Sequence, residues 1–189
     1  MNCNERIVIV RHYDSPCGGI LLAATENGLC LCDWAVNPRV ERNKQRLQRL
    51  LNAKLVTGTS SLLERTITQL DEYFSGRRRF FDIPLCPVGS EFQKRVWEAL
   101  PRIPYGETKT YKDIALLIGA PQSVRAVAGA IGANALSLFI PCHRVVGSNC
   151  SLTGFSGGLE AKAALLEMEK KVKRGLLIDV GIKVLSIKR

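Results

Sequence analysis

The stretch Ser137-Leu138-Phe139-Ile140-Pro141-Cys142-His143-Arg144-Val145-Val146-Gly147 stands apart from the rest of the chain. Apolar residues lead up to a proline, a cysteine and a histidine follow it side by side, and a β-branched pair and a glycine close the stretch. Residues 138–140 are predicted to form a buried strand that ends at the proline, because proline has no N–H to donate to a ladder. Cys142 is therefore expected where a rigid element opens into a loop, which suits a reactive thiol.

Cys142 needs an activating neighbour, because the thiolate and not the thiol is the nucleophile. His143 could lower the pKa of the thiol or take its proton, directly or through a water molecule. Adjacent residues of an extended chain point to opposite sides, so the sequence does not require direct contact. The alternative is a small buried cysteine beside a surface histidine.

The pentapeptide Pro141-Cys142-His143-Arg144-Val145 closely resembles the active-site signature of the O6-alkylguanine-DNA alkyltransferases, also called methylated-DNA–protein-cysteine methyltransferases. The resemblance extends from about Ser90 to Lys170 and is weaker before that. It implies a ribonuclease-H-like α/β domain without ribonuclease activity, followed by a mostly α winged helix-turn-helix domain. It also implies irreversible, single-turnover transfer of an alkyl group from O6 of guanine, and from O4 of thymine, in DNA to Cys142, with base flipping and no cofactor.

The length of 189 residues fits one domain or two small ones. We predict a support domain over residues 1–88, a DNA-binding and catalytic domain over 89–174, and an extension of unassigned role over 175–189, which contains a possible strand. No apolar run approaches about 18 residues, so no membrane span is predicted. The first residues lack the pattern of a signal peptide, so a cytoplasmic location is expected, or a nuclear one in a eukaryote.

The net charge of +10 is unevenly distributed. Residues 1–89 carry 12 basic and 9 acidic side chains, whereas residues 90–189 carry 15 and 8, so the excess lies in the half that holds Cys142. Such an excess favours a polyanionic partner. The expected partner is double-stranded DNA with alkylated bases, bound by a monomer; the alternative is that the charge only serves solubility.

Seven cysteines with irregular spacing, in a chain without an export signal, do not indicate a disulfide framework. Cys3, Cys30 and Cys86 could in principle meet at a structural metal, which some members of the resembled family carry in the N-terminal domain. These residues form no convincing ligand set, so no metal is predicted.

Patterning of the N-terminal half predicts strands followed by helices. The predicted strands cover Arg6–Tyr13, Gly19–Ala24, Gly28–Trp34 and, more briefly, Phe80–Leu85, and the predicted helices cover Glu41–Lys54 and Ser60–Phe74. Asn27-Gly28 between two apolar runs is a strong hairpin signal. This half is predicted to support the site without contributing catalytic residues.

Two capping boxes mark helices of the C-terminal half, Ser90 with Gln93 and Thr110 with Asp113. A further helix is predicted from Pro121 to Asn134, and with the helix that Thr110 caps it forms a helix-turn-helix pattern. This last helix is rich in alanine and glycine. Small residues allow close approach to a narrow DNA groove, or, alternatively, tight packing between helices.

Several site residues follow from the resemblance alone. It implies that Arg125 fills the gap left by a flipped base, that Asn134 braces the Cys142 turn, and that Tyr111 binds the flipped guanine and helps to protonate it. The alternatives are a phosphate contact or a surface charge for Arg125, a helix cap for Asn134 and simple packing for Tyr111.

The resemblance also places the pocket wall at Phe155, Ser156 and Gly157, where Ser156 could donate to O6 of guanine. The Ser-Gly-Gly ending of this wall resembles a subgroup with a roomier pocket. Glu169 falls where the family has a glutamate that orients the histidine, although Glu160 and Glu167 are competing carboxylates. The remaining predicted substrate or DNA contacts are Ser123, Ala126, Arg144 and Val145.

Two other functions compete with alkyl transfer. A lesion sensor or regulator would use the same helix-turn-helix, but relatives of that kind lack the cysteine, which is present here as Cys142. A cysteine hydrolase would need an oxyanion site and would turn over. The stoichiometry of methyl transfer separates all three.

Overall fold

The computed structural model describes residues 6–35 and 38–176. Its N-terminal half is a four-stranded sheet with the order β3-β2-β1-β4, in which β1 pairs antiparallel with β2, β2 antiparallel with β3, and β1 parallel with β4. The elements of this half are β1 (Arg6–Ser15), β2 (Gly18–Thr25), β3 (Gly28–Trp34), α1 (Pro38–Leu51), β4 (Ala53–Thr57) and α2 (Ser61–Phe74). The predicted three-stranded meander is confirmed.

The two helices cover opposite faces of this sheet. Leu47 of α1 packs in one core cluster with Val8 of β1, whereas Leu63 and Leu70 of α2 pack in a second cluster with Leu22 of β2. Both faces are therefore buried, which explains why β3 is buried along its whole length.

The predicted helix over Glu41–Lys54 was wrong at its C-terminal end. The helix stops at Leu51, and Asn52 adopts a left-handed conformation with φ of 47°. Asparagine tolerates that conformation and commonly follows a helix. The chain then enters β4, where Leu55 lies opposite Val8. The leucine repeat that predicted the helix ran past this stop and concealed a strand.

The strand predicted over Phe80–Leu85 was also wrong, because only Leu85 forms a bridge, to Leu29. Hydrogen bonds fix this segment against the start of β3: Leu29 N donates to the Pro84 carbonyl at 2.9 Å, and Cys86 N donates to the Leu29 carbonyl at 2.8 Å. Gly28 permits this approach, since its φ is 151° and a Cβ there would lie 2.7 Å from the Pro84 oxygen.

The C-terminal half is mostly helical. Its elements are α3 (Glu91–Ala99), β5 (Lys109–Thr110), α4 (Tyr111–Leu117), α5 (Val124–Gly132), β6 (Val145–Val146) and α6 (Gly158–Lys173). Both predicted capping boxes are confirmed, at the starts of α3 and α4. The indole of Trp97 on α3 donates to the Ala130 carbonyl of α5 at 2.8 Å, so α3 carries the helix-turn-helix formed by α4 and α5.

Helix α5 is shorter than the predicted Pro121–Asn134. Ser123 N donates to the Ala120 carbonyl at 2.9 Å, which places Pro121 in a turn between α4 and α5. The helix starts at Val124 and ends at Gly132. Arg125 therefore lies in the first turn of the helix, and Asn134 lies beyond its end.

The predicted strand over residues 138–140 was wrong as well. Leu138 adopts a left-handed conformation with φ of 73°, and Ile140 N donates to the Leu136 carbonyl at 2.8 Å, so the segment is a buried turn. Burial of a short apolar run does not distinguish a strand from other buried backbone.

One core cluster spans both halves of the described chain and includes Trp34, Tyr73, Trp97 and Cys142. Strand β3 also bonds to the segment before the cysteine: Cys32 N donates to the Ala135 carbonyl, and Ser137 N donates to the Cys32 carbonyl, each at 2.8 Å. The N-terminal sheet therefore fixes the entry to the Cys142 turn.

No helix within residues 6–35 and 38–176 is long and apolar enough to cross a membrane. The possible strand in the C-terminal extension falls outside the described residues.

Replacement of Ser90 by alanine is expected to lower the free energy of unfolding by about 1 kcal/mol, because the hydroxyl accepts from Gln93 N at the start of α3. Urea denaturation measures the loss. Ser123→Ala is the matched control, since Ser123 precedes α5 but its side chain makes no capping hydrogen bond to the described residues. Equal losses in the two variants would contradict the capping role.

Candidate active site

Cys142 opens a 3-10 turn that covers Cys142–Arg144 and leads into β6. The residue is buried, with 7% of its surface exposed. Burial raises the pKa of the thiol, while hydrogen bonds from the side chains of Asn134 and Ser137 act in the opposite direction. The thiol is therefore kept neutral in the free protein, beside donors that favour the thiolate.

Asn134 braces the approach to this turn. Its Nδ2 donates to the Ile140 carbonyl at 2.9 Å, and its Oδ1 accepts from Leu136 N at 2.9 Å. One buried carboxamide thus holds both ends of the 136–140 turn and also reaches Cys142.

His143 is fully buried directly after the cysteine. Its Nε2 lies 2.8 Å from Glu169 Oε1, whereas its Nδ1 has no hydrogen-bond partner among the described residues. Burial lowers the pKa of His143 and outweighs the opposing effect of Glu169. A neutral imidazole that donates through Nε2 leaves Nδ1 as a free base.

Glu169 is a carboxylate with no exposed surface, held by donors from three segments. Oε1 accepts from His143 Nε2, from Arg144 Nη2 at 2.9 Å and from the Tyr73 hydroxyl at 2.7 Å. Oε2 accepts from Arg144 Nε and from Gly106 N, each at 2.9 Å. Burial opposes ionisation, but the hydrogen bonds from His143 and Arg144 and the positive charge of Arg144 prevail and lower the pKa of Glu169 to about 2. The competing carboxylates Glu160 and Glu167 are exposed.

Arg144 and Val145 do not lie on the protein surface. Only 8% of Arg144 is exposed, and its Nη1 donates to the Ile103 carbonyl at 2.9 Å while its other nitrogens bind Glu169. Val145 is fully buried. Burial of both side chains argues against a contact with DNA at the surface: Arg144 supports Glu169 and Val145 lies in the core, while a substrate contact by either residue stays a prediction.

Lys162 is a buried cation that the sequence analysis did not single out. Its Nζ donates to the carbonyls of Val145 at 2.6 Å and Thr153 at 2.8 Å. The ammonium ties the strand after the cysteine to the loop before α6, and its charge lowers the pKa of Cys142.

The predicted pocket wall packs against the end of β3. Phe155 packs edge-on against Trp34 at 4.9 Å between centroids, and a Cβ on Gly157 would lie 2.6 Å from the same indole. Ser156 bonds to the buried carboxyl of Asp33, and its hydroxyl oxygen lies 3.1 Å from that of Ser137. Sequence reasoning missed Asp33 and Trp34 because they lie more than a hundred residues before the wall.

Tyr111, at the start of α4, faces the same loop, since its hydroxyl accepts from Thr153 Oγ1 at 3.1 Å. The structure therefore brings Tyr111, the wall and the Cys142 turn into one region through Thr153 and Lys162.

The exposed face of α5 includes small residues. Arg125, Ala126 and Gly129 are exposed, and a Cβ on Gly129 would meet no described atom within 4 Å. Tight packing therefore does not explain this glycine. Ser123, half-buried, precedes the helix.

Among the described residues no group of three or more His, Cys, Asp or Glu side chains could hold a metal ion. Cys3 lies outside those residues.

Comparison with known proteins shows which family the chain is similar to. A model of the DNA-binding domain of 6-O-methylguanine DNA methyltransferase matches residues 91–171. A model of the ribonuclease-like domain of the same protein matches residues 8–87. The chain belongs to the 6-O-methylguanine DNA methyltransferase family. Membership confirms the resemblance and the fold class, a ribonuclease-like domain followed by a DNA-binding domain.

Relatives match over most of their length. The methylated-DNA–protein-cysteine methyltransferase of Methanosarcina barkeri is 44% identical over 162 residues, which cover 84% of this chain and 97% of the relative. That of Mycolicibacterium paratuberculosis is 51% identical over 164 residues, which cover 85% and 92%. A crystal structure of Mycobacterium tuberculosis OGT in complex with DNA is similar with a TM-score of 0.73 and 37% identity, and the match covers 88% of this chain and 94% of that chain.

Replacement of Glu169 by glutamine is expected to lower the free energy of unfolding at pH 7 by about 3 kcal/mol or more, because it leaves Arg144 buried without a counter-charge. The carboxylate stabilises the fold fully above its unfolded pKa of about 4.3, and this contribution is lost as the pH falls towards the folded pKa of about 2. Urea denaturation between about pH 7 and about pH 3 should therefore show a weaker acid dependence in Glu169→Gln.

Glu167→Gln is the matched control, since Glu167 lies on the same helix, is exposed and, among the described residues, pairs only with Lys171 at 3.5 Å. A Glu169→Gln variant as stable as this control would refute the buried ion pair.

Proposed function

We propose that the protein repairs alkylated DNA by transferring a methyl group from O6 of guanine, and from O4 of thymine, to its own Cys142. The observation that carries the proposal is the buried Cys142 thiol followed by an imidazole whose Nε2 is held by Glu169 and whose Nδ1 has no partner among the described residues and can accept a proton.

The reaction is a displacement at the methyl carbon. His143 Nδ1 takes the Cys142 proton, directly or through one water molecule, and the resulting imidazolium is stabilised by the Glu169 carboxylate. A carbon–sulfur bond forms as the carbon–O6 bond breaks, and the electron pair of the broken bond goes to the base. The thioether has no easy reverse step, so each molecule acts once.

Electrostatics favour thiolate formation at the moment of reaction. Burial keeps the Cys142 thiol neutral. A negative sulfur would be stabilised by the side-chain donors of Asn134 and Ser137 and by the Lys162 ammonium. Fixed donors in a dry site are worth more than the same donors in water.

The departing base needs a proton to leave neutral. Tyr111 is suited to supply it, because its hydroxyl already accepts from Thr153 and so has its own hydrogen free to donate. Phe155, in the predicted pocket wall, lies 6.3 Å from the His143 ring between centroids and offers an aromatic ring on which a flipped base can stack.

Access to O6 requires that the nucleotide leaves the helical stack. The exposed face of α5 supports this step, since Ala126 and Gly129 let the helix backbone approach a groove closely and Arg125 projects from its first turn. Arg125 is assigned to the gap that the flipped base leaves.

Intact mass after mixing with a duplex that contains O6-methylguanine tests the proposal. We expect one methyl group per protein molecule, in a stoichiometric and not a catalytic amount, and no gain in Cys142→Ser. Cys150→Ser is the matched control, since Cys150 is an exposed cysteine of the following loop and its loss should change nothing. Unchanged mass with tight lesion binding would favour a sensor, and unchanged mass without lesion preference would refute alkyl transfer.

Arg125→Ala is expected to slow methyl transfer from duplex DNA about tenfold or more, because the gap left by the flipped base is no longer filled and flipping costs a few kcal/mol. The single-turnover rate on a single strand of the same sequence should change far less. Arg102→Ala removes the same charge from an exposed site outside α5 and serves as control. Equal slowing on both substrates would assign Arg125 to general phosphate binding.

A further inference from the structure

One hydrogen bond joins the ribonuclease-like half to the catalytic carboxylate. The hydroxyl of Tyr73, on α2, donates to Glu169 Oε1 at 2.7 Å. The same oxygen accepts from His143 Nε2 at 2.8 Å. Tyr73 and Glu169 belong to segments matched by different domain models of the family. Tyr73 comes from the half that was expected only to support the site. It thus donates to the same carboxylate oxygen as His143, the proposed general base.

Packing alone does not account for the hydroxyl of Tyr73. The ring lies among aromatic neighbours, with centroids 5.2 Å from Phe81 and 6.2 Å from Tyr105. A phenylalanine would satisfy those contacts equally well. Only 1% of Tyr73 is exposed, and burial raises the pKa of its hydroxyl well above the usual value, so it stays a donor. A buried hydroxyl requires a partner, and here the partner is the carboxylate that holds His143.

We propose that Tyr73 is a positioning residue for alkyl transfer, whose hydroxyl fixes Glu169 Oε1 opposite His143 and takes up part of the negative charge of that oxygen. The inference rests on the proposed function of Cys142 and adds that both halves of the protein set the proton affinity of His143.

The other charged and titratable groups around the pair come from separate elements. Arg144 lies on the Cys142 turn, Lys162 on α6 and Tyr105 on the loop after α3. Arg79, which follows α2, lowers the pKa of Tyr105 through its charge. Arg144 and Lys162 disfavour a charged imidazole, and Glu169 favours it. None of these groups is altered when only the Tyr73 hydroxyl is removed.

Loss of the Tyr73 hydroxyl removes one of the donors that bind Glu169 Oε1. With one donor fewer, more of the negative charge of Oε1 faces His143 Nε2, so the imidazolium becomes easier to form. Because His143 takes the Cys142 proton, the thiolate then forms at lower pH. We expect Tyr73→Phe to move the pH midpoint of Cys142 reactivity down by about half a unit or more. A merely structural role would leave this midpoint in place.

The test is the rate of Cys142 alkylation by iodoacetamide, followed by peptide mass from about pH 6 to about pH 10 in the full chain. The reagent forms a thioether with release of iodide and needs no DNA. Tyr105→Phe is the matched control: its hydroxyl is buried in the same surroundings and has no hydrogen-bond partner in the part of the chain that the structure describes. Its midpoint should equal that of the unaltered protein.

A lowered midpoint in Tyr73→Phe with an unchanged one in Tyr105→Phe supports the inference. An unchanged midpoint in Tyr73→Phe, or equal shifts in both variants, overturns it. Urea denaturation checks that Tyr73→Phe is folded, as expected because the packed ring is retained.

The unaltered protein with an O6-methylguanine duplex separates this result from the proposed function. Absence of methyl transfer there would refute alkyl transfer, while the iodoacetamide profiles would still decide the role of Tyr73.

Discussion

The buried carboxylate of Glu169 is the constraint on which the site depends. A charge removed from water costs several kcal/mol unless donors surround it. Here the donors come from α2, from the backbone at Gly106, and from two residues of the Cys142 turn. Segment α2 and the Cys142 turn belong to different halves, so the packing of the two halves and the orientation of His143 depend on the same carboxylate.

Under the proposed mechanism, this arrangement explains how Cys142 can be buried and still react with a bound substrate. The free protein holds a neutral thiol and a neutral imidazole, because burial disfavours charge on either group. The groups that would stabilise a charge pair are already fixed: Glu169 behind the imidazole, and Asn134, Ser137 and Lys162 around the sulfur. Preorganised dipoles need no rearrangement at the moment of reaction, which is the condition for effective electrostatic catalysis.

Local chemistry was predictable from the sequence, whereas long-range contacts were not. Ser90 with Gln93 and Thr110 with Asp113 satisfy their helix starts within four residues, so their patterns sufficed. The turn over residues 138–140 was mistaken for a strand because a short buried apolar run is compatible with either structure, and the bonds from Cys32 that fix the chain at Ala135 and Ser137 come from about a hundred residues earlier. The resemblance pointed to Glu169, and the structure brings it to His143. Tyr73 and Lys162 carry no local signal, since each acts through a partner that only the fold supplies.

Measuring the protonation state of His143 tests the proposed proton transfer from Cys142 most directly. The chain has two histidines, and exposed His12 offers an internal comparison for the buried one in a ¹⁵N-resolved NMR spectrum of the imidazoles. We expect a neutral His143 ring at pH 7, with the proton on Nε2 and no proton on Nδ1. A charged ring at that pH, or a neutral ring protonated on Nδ1, would contradict it, because no free base would then face the Cys142 proton.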